Sequence, residues 1–190
     1  NDATFFYGYE IYYKFYSSDP DDTTLTNDRE LIENNPTVEK LESLEYRRFY
    51  AYDEDEEDNL SDISPPLLPI PTDARDDDFS IFVDFFYVEI DPFPEASYLN
   101  TTVKLCRYID VDGETQAVGF SPSDFLSGVE YEDSFSYEDL IATEDISGDY
   151  SFLMACYTLT FGKYDVWRSL YSEPVFIGEV ELNASSDGSF

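Results

Sequence analysis

Residues 4–16 read TFFYGYEIYYKFY, and this stretch decides the fold class. Its odd positions, from Phe5 to Phe15, are all apolar or aromatic, whereas its even positions include Glu10 and Lys14. An alternation of this length predicts a long β-strand that buries one face. We therefore expect a sheet whose core face is lined by large aromatic rings.

Further strand candidates follow along the chain. They occupy residues 44–52, 79–90, 98–109, 115–120, 150–161, 166–171 and 175–182. The dipeptide Asp112-Gly113, between two of these candidates, is a signal for a hairpin turn. Roughly eight strands at irregular spacing, with few helical patterns, favour an all-β fold. We predict an antiparallel two-sheet sandwich, either immunoglobulin-like or jelly-roll-like.

Polar segments separate the strands. Residues 17–36 read as a loop, and a short helix is expected next, because Thr37 can cap it and the apolar residues that follow share one face. Residues 53–78 hold six consecutive acidic residues and then four prolines, which predicts an insertion that runs over the surface. We expect one domain, residues 1–190, with long acidic loops and one or two short helices.

Three segments resemble a known family. Residues 8–16, GYEIYYKFY, look like the third strand of fibronectin type III modules. Residues 147–162 and 172–180 are similar to the sixth and seventh strands of those modules. The resemblance covers under a third of the chain. It implies an immunoglobulin-like sandwich that serves as a spacer, adhesion or assembly module and has no catalytic residues.

The charge of the chain restricts its partners. There are 43 acidic and 10 basic residues, which gives a net charge of −33. Such a surface repels phosphate backbones and anionic membranes, so we expect no nucleic-acid partner. No apolar stretch is long enough to span a membrane, so we expect no membrane insertion. The compact state needs positive charge nearby, from high salt, divalent cations or a basic partner.

The chain has no histidine. This absence excludes nucleophiles activated by a histidine base and the imidazole ligands of catalytic zinc sites. A glycosidase needs only two carboxylates, but among 43 acids some pair meets the required spacing by chance. We therefore expect that the protein is not an enzyme. An enzyme that uses carboxylates alone is the alternative, and it would need a deep cleft with two converging acids.

Two cysteines and three sequence triplets bear on the cellular environment. Cys106 and Cys156 either form a disulfide, which fits an oxidising compartment, or remain two buried free thiols. Asn59, Asn100 and Asn183 each begin an Asn-x-Ser/Thr triplet and are candidate glycosylation sites. Together these features predict an extracellular or cell-surface protein.

Carboxylates near the predicted hairpin form a candidate metal site. Asp110, Asp112 and Glu114 alternate along the chain, and Gly113 permits a sharp turn. A loop of this kind can supply three or four of the oxygens that calcium needs. Calcium is therefore the one cofactor that we predict, and the alternative is a hairpin tip with exposed acids.

Aromatic residues on the second face of two strands form a candidate partner surface. Tyr12 and Tyr16 lie on the less apolar face of the first strand, and Phe82 and Phe86 lie opposite the more apolar face of residues 79–90. These rings either pack beneath other elements or contact a partner.

We therefore expect an extracytoplasmic structural or interaction module, such as a subunit of a surface assembly, an adhesion module or a filament subunit. Its partners would be another protein or further copies of itself. The alternative is a calcium-dependent carbohydrate-binding module, with aromatic platforms for glycans and a calcium ion near residues 110–114.

Overall fold

A computed structural model describes residues 6–55, 64–75, 78–85, 91–111, 114–121, 125, 151–165 and 168–182. Its strands are Phe6–Ser17 (β1), Arg47–Arg48 (β2), Tyr50–Tyr52 (β3), Leu68–Pro69 (β4), Ile81–Asp84 (β5), Glu95–Tyr98 (β6), Thr101–Val111 (β7), Glu114–Val118 (β8), Phe152–Asp165 (β9), Arg168–Tyr171 (β10) and Val175–Leu182 (β11). Its helices are Thr24–Asn34 (α1) and Val38–Ser43 (α2), and a 3₁₀ turn covers Thr72–Ala74.

The strands form two antiparallel sheets. In the first sheet the order is β10–β9–β1–β2, with β11 paired to β9 and β4 paired to β1. In the second sheet the order is β3–β7–β6–β5, with β8 paired to β7. The chain is therefore an all-β, antiparallel two-sheet sandwich, as the strand patterns predicted. The predicted hairpin is also confirmed, because β7 and β8 pair across residues 112 and 113.

Alternating residues of β1 build the core between the sheets. Ile11, Tyr13 and Phe15 are buried there. The Tyr13 ring stacks on Phe49, with the ring centroids 4.4 Å apart. Burial of such large rings is the main favourable contribution to folding in a chain with this much like charge.

The first helix was not predicted. Residues 17–36 were expected to form a loop, but α1 occupies Thr24–Asn34. Asp28 takes an inward position on this helix, where Lys14 Nζ and the Tyr16 hydroxyl each lie 2.8 Å from its Oδ2 atom. An inward carboxylate interrupts the apolar stripe by which a helix is recognised. The helix expected after residue 36 is confirmed as α2, and the Thr37 side chain accepts a hydrogen bond from the Lys40 N–H.

The strand expected over residues 44–52 is divided between the two sheets. β2 pairs with β1, whereas β3 pairs with β7 in the other sheet. Phe49 lies between them, is buried, and donates its N–H to the Ile11 carbonyl oxygen at 2.9 Å. This segment therefore links the two sheets through the core.

The proline-rich segment does not simply run over the surface. Leu67, Leu68 and Ile70 are buried, and β4 pairs with β1. The approach is so close that a Cβ atom on Gly8 would overlap the Leu68 carbonyl oxygen. A strand with prolines is tolerated here because it contributes only two residues at the margin of the first sheet.

Candidate functional site

One carboxylate is closed off from solvent inside the first sheet. Glu10 is fully buried on β1, and its Oε1 atom accepts a hydrogen bond from the Leu67 N–H at 3.0 Å. Arg48 Nε lies 2.6 Å from the Oε2 atom. Burial raises the pKa of Glu10 to about 7, although the nearby Arg48 charge acts in the opposite direction. Glu10 therefore joins β1, β2 and the proline-rich segment.

Tyr12 and Tyr16 do not form a partner surface, contrary to one of the two interpretations of the sequence. Both are buried in a second core between the first sheet and the helices, together with Ile32 and Leu41. The Tyr16 hydroxyl lies 2.9 Å from that of Tyr46. The two helices cover this face of β1, so its tyrosines are unavailable to another molecule.

Of the two phenylalanines of the predicted partner surface, the structure describes Phe82. Phe82 lies on β5 and is 65% exposed. It stands opposite Ser97 of β6, on the outer face of the second sheet. Phe86 lies outside the described residues. The role of Phe82 in a partner surface stays a prediction.

The disulfide expected between Cys106 and Cys156 is not formed, and both thiols are free and buried. The reason is the alternation of side chains along β7. Leu105 and Arg107 face the core, where the Arg107 guanidinium lies 5.7 Å from the Phe15 ring centroid, so Cys106 faces the other side of its sheet. Cys156 faces the space between the sheets. Burial raises the pKa of both thiols to about 12.

The carboxylates of the candidate calcium site are divided between two faces of the hairpin. Asp110 stands opposite Thr115, whereas Glu114 stands opposite Val111. Residues directly opposite in an antiparallel pair share a face, and neighbouring positions alternate. Asp110 and Glu114 therefore project from opposite faces, and Asp112 lies outside the described residues. No group of three potential metal ligands occurs in the described part of the chain. The calcium site stays a prediction.

One of the three glycosylation candidates is placed in a suitable position. Asn100 is exposed in the turn between β6 and β7, beside Leu99, whose φ is 51°. Asn59 and Asn183 lie outside the described residues. Use of these sites stays a prediction.

Among the described residues, the longest sheet edge without a further paired strand belongs to the first sheet. β10 and β11 follow one another along the same side of β9, and within the described residues each pairs with β9 alone. The Ser172 N–H donates to the Thr160 carbonyl oxygen at 3.0 Å and keeps the connection between the two strands against β9. We refer to residues 168–182 as the β10–β11 edge. An open edge offers backbone donors and acceptors to another strand.

Apolar side chains on this edge are exposed. Leu170, Val175 and Ile177 are 46%, 58% and 50% exposed. Val175 stands opposite Thr158, on the face that is turned toward the second sheet. The described part of the second sheet therefore does not extend over this part of the first sheet. Exposed aliphatic residues grouped on one strand edge are typical of an interaction site.

A cavity opens beside the same edge. Its volume is about 320 Å³, and it lies between β5 of the second sheet and β11 of the first. Its lining is mostly apolar and consists of Ile11, Phe49, Ile81, Val83, Phe85, Cys156, Thr158, Ile177, Gly178, Glu179 and Val180. The size is within the range of binding pockets in proteins.

Carboxylates flank the apolar residues of the edge. Glu173, Glu179 and Glu181 are exposed along residues 168–182, and Arg168 is the basic residue of this range. Like charges placed along an edge strand discourage pairing with an identical edge. The edge is therefore electrostatically suited to a basic strand.

The strands at residues 166–171 and 175–182 were predicted, but a function for them was not. The sequence does contain a sign of an interaction site in the second of these strands. Val175, Phe176 and Ile177 are consecutive, so both faces of the strand are apolar at its start. The same feature, apolar residues on the second face of a strand, gave the candidate partner residues in residues 4–16 and 79–90. Which strand lies at a sheet edge depends on the topology, which the pattern does not contain.

Comparisons of the chain with protein-family models, with curated proteins and with solved structures found no match. In the described residues, neither helix has the length and hydrophobicity that crossing a membrane requires.

Proposed function

We propose that the protein is a non-catalytic interaction module that binds an extended segment of a basic protein partner along the β10–β11 edge. The observation that carries the proposal is the combination of an edge paired only with β9, among the described residues, and exposed Leu170, Val175 and Ile177 on that edge. In this mode of recognition the added strand gains main-chain hydrogen bonds, and its side chains gain apolar contacts.

Charge favours a basic partner over a second copy of the chain. Each copy has a net charge of −33, and the edge itself exposes Glu173 and Glu179. Two copies that met at this edge would bring like charges together, whereas lysine and arginine side chains would be attracted to both glutamates. A basic segment would also relieve repulsion within the chain.

The topology supports an immunoglobulin-like arrangement. The third, sixth and seventh strands of immunoglobulin-type sandwiches share one sheet. β1, β9 and β11, which contain most of the segments that resemble those strands of fibronectin type III modules, are neighbours in the first sheet with β9 in the middle. We propose an extracellular or cell-surface location for the module, supported by the glycosylation candidates and no longer by a disulfide.

A peptide-binding measurement tests the proposal. The probe is an eight-residue peptide of alternating lysine and valine, as long as β11, with a fluorescent label for anisotropy. We expect it to bind, and we expect its affinity to fall about tenfold or more between roughly 50 and 500 mM NaCl. A peptide of alternating glutamate and valine should not bind. Equal binding of both peptides would contradict the proposal.

A pair of charge-reversed variants locates the binding. Glu173→Lys combined with Glu179→Lys should weaken binding of the lysine–valine peptide by about tenfold. Glu95→Lys combined with Glu114→Lys makes the same change in charge at exposed positions of the second sheet and should weaken binding by less than about threefold. Equal losses would mean that the peptide responds to net charge and not to the edge.

A second candidate function is carbohydrate binding, which a group of rings at the end of the first sheet favours. Tyr7 and Tyr171 are partly exposed and flank Phe161, with ring centroids 6.5 and 5.4 Å from it. Lys163 Nζ lies 5.9 Å from the Tyr7 ring centroid. Flat rings with polar tips suit sugar stacking. A glycan array tests this candidate: Tyr7→Ala and Tyr171→Ala should abolish any sugar binding, and Phe82→Ala should not.

A further inference from the structure

We propose that the cavity between β5 and β11 is an anchor pocket of the β10–β11 edge, and that it accepts one uncharged aromatic side chain of the docked segment. This inference rests on the proposed function, because the segment that enters the cavity is the one that pairs with the edge. It specifies the partner further: a basic, extended segment with one aromatic residue between its basic residues.

The position of the cavity connects it to the edge. Ile177, Gly178 and Glu179 are consecutive residues of β11, and all three line the cavity. Ile177 is also half exposed, so the cavity reaches the surface on the strand that the partner would pair with. On the other side the cavity is bounded by Ile81 and Val83 of β5.

The register of β11 leaves this opening unfilled. Phe176 stands opposite Tyr157 and Gly178 stands opposite Cys156, so Ile177 is an extra residue in a β-bulge. A Cβ atom on Gly178 would meet no heavy atom within 4 Å. The bulge and the absent side chain together leave room for a side chain that arrives from outside.

The volume suits one aromatic ring. An apolar cavity of about 150 Å³ is known to bind benzene, and a cavity of about 320 Å³ is roughly twice that size. A phenylalanine side chain is a benzene ring on one methylene group, and an indole ring is somewhat larger. Either ring fits the space, with part of it still open to solvent.

The chemistry of the lining excludes a charged side chain. Ile11, Phe49 and Phe85 provide an apolar wall. The Thr158 hydroxyl already donates to the Glu10 carbonyl oxygen at 3.0 Å. Glu179 is exposed at the margin and repels an acidic group, and burial of a lysine ammonium against an apolar wall is unfavourable. An uncharged ring with basic residues on either side matches both the wall and the margin.

The test uses peptides that differ at one position. In the lysine–valine peptide each valine is replaced in turn by phenylalanine, and in a parallel series by serine. We expect phenylalanine at one position to strengthen binding about fivefold or more, and serine at that position to weaken it. The anchor pocket is wrong if every phenylalanine peptide binds within about twofold of the valine peptide. If Glu173→Lys combined with Glu179→Lys still weakens peptide binding in that case, docking at the edge stands without the pocket.

Two variants of β5 form a matched pair, in which Val83→Trp is the test and Phe82→Trp is the control. Val83→Trp places a bulky ring in the cavity wall, whereas Phe82→Trp places the same indole ring, in place of a phenyl ring, on the outer face of the same strand. Val83→Trp should remove the preference for phenylalanine and leave the affinity for the valine peptide unchanged, and Phe82→Trp should change neither. A phenylalanine preference that survives in folded Val83→Trp contradicts the inference.

A measurement without a peptide separates the pocket from the edge. Toluene, which is the phenylalanine side chain without its backbone, is titrated into the wild-type protein and followed by amide NMR. Shifts at the amides of Ile177 and Gly178 are expected, and their absence overturns the pocket whether or not any peptide docks. If toluene binds and no lysine–valine peptide does, the pocket stands as a ring-binding site, but the proposed function and the partner named here fail.

Discussion

Arg48 Nε lies 2.6 Å from the Oε2 atom of Glu10, inside the first sheet of a chain with ten basic residues. The Leu67 N–H donates to the other carboxylate oxygen. This arrangement uses one of few cations to hold a buried carboxylate, and the pKa of Glu10 is nevertheless raised to about 7 because burial outweighs the attraction to Arg48.

The raised pKa predicts a pH-dependent stability. The ordinary pKa of 4.5 applies to Glu10 in the unfolded chain, and about 7 applies in the folded protein. Between these values the folded state binds more protons, so the free energy of unfolding falls as the pH rises from about 4.5 to about 7. The contribution of Glu10 to this fall is about 3 kcal/mol, at 1.4 kcal/mol per pKa unit.

Denaturant unfolding of wild type and Glu10→Gln over pH 4 to 8 measures this contribution. The other carboxylates also change stability with pH, so the difference between the two slopes is the readout. Glu10→Gln should flatten the slope between about pH 4.5 and 7. Parallel curves for wild type and Glu10→Gln would contradict the assigned pKa.

Gly8→Ala should destabilise the protein by about 3 kcal/mol, because the new methyl group overlaps the Leu68 carbonyl oxygen and pushes β4 away from β1. Gly178→Ala is the comparison. Gly178 has a φ of 141° but open space around it, so this variant has backbone strain without overlap and should cost about 1 kcal/mol. Chemical denaturation of both variants checks the order, and a smaller loss for Gly8→Ala would contradict the close packing of β4.

Asp28→Ala should lower the free energy of unfolding by about 2 kcal/mol. Lys14 Nζ and the Tyr16 hydroxyl would lose their shared acceptor beneath α1, and both are largely buried. Glu30→Ala, at an exposed position of the same helix, should change stability by less than about 0.5 kcal/mol. Similar losses for the two variants would mean that Asp28 does not hold the helix to the sheet.

Both cysteines should be unreactive in the folded protein. Burial raises the pKa of each thiol to about 12, so little thiolate is present at neutral pH. A charged chromogenic thiol reagent, which the apolar cavity beside Cys156 excludes, should detect no thiol in the native protein and both thiols after unfolding without a reductant. If thiols are detected only after a reductant is added, the two cysteines form a disulfide and the free thiols assigned here are wrong.

The strands could be predicted because alternation along one strand is a local property. The pattern of residues 4–16 led to β1, and the hairpin signal at residues 112 and 113 led to the pairing of β7 with β8. The helix α1 was missed because its inward position is held by Asp28, a residue that the apolar pattern does not count.

The other predictions that were wrong concern how strands and helices pack against one another. The predicted disulfide is absent because Cys156 faces the space between the sheets and Cys106 faces away from it. Which face of a strand is turned inward depends on how the sheets pack. Tyr12 and Tyr16 were candidates for a partner surface, but the two helices that follow β1 in the chain pack over them. The edge position of β11 likewise follows from its pairing with β9, which the sequence of either strand alone does not reveal.

Hydrogen exchange with the lysine–valine peptide tests the docking of a strand most directly. In the free protein the amides of β11 that do not pair with β9 should exchange rapidly, because no further strand of the described structure covers them. With the peptide bound, these amides should become protected while those of β8 keep their rates. Binding of the peptide without protection of β11 would contradict the account.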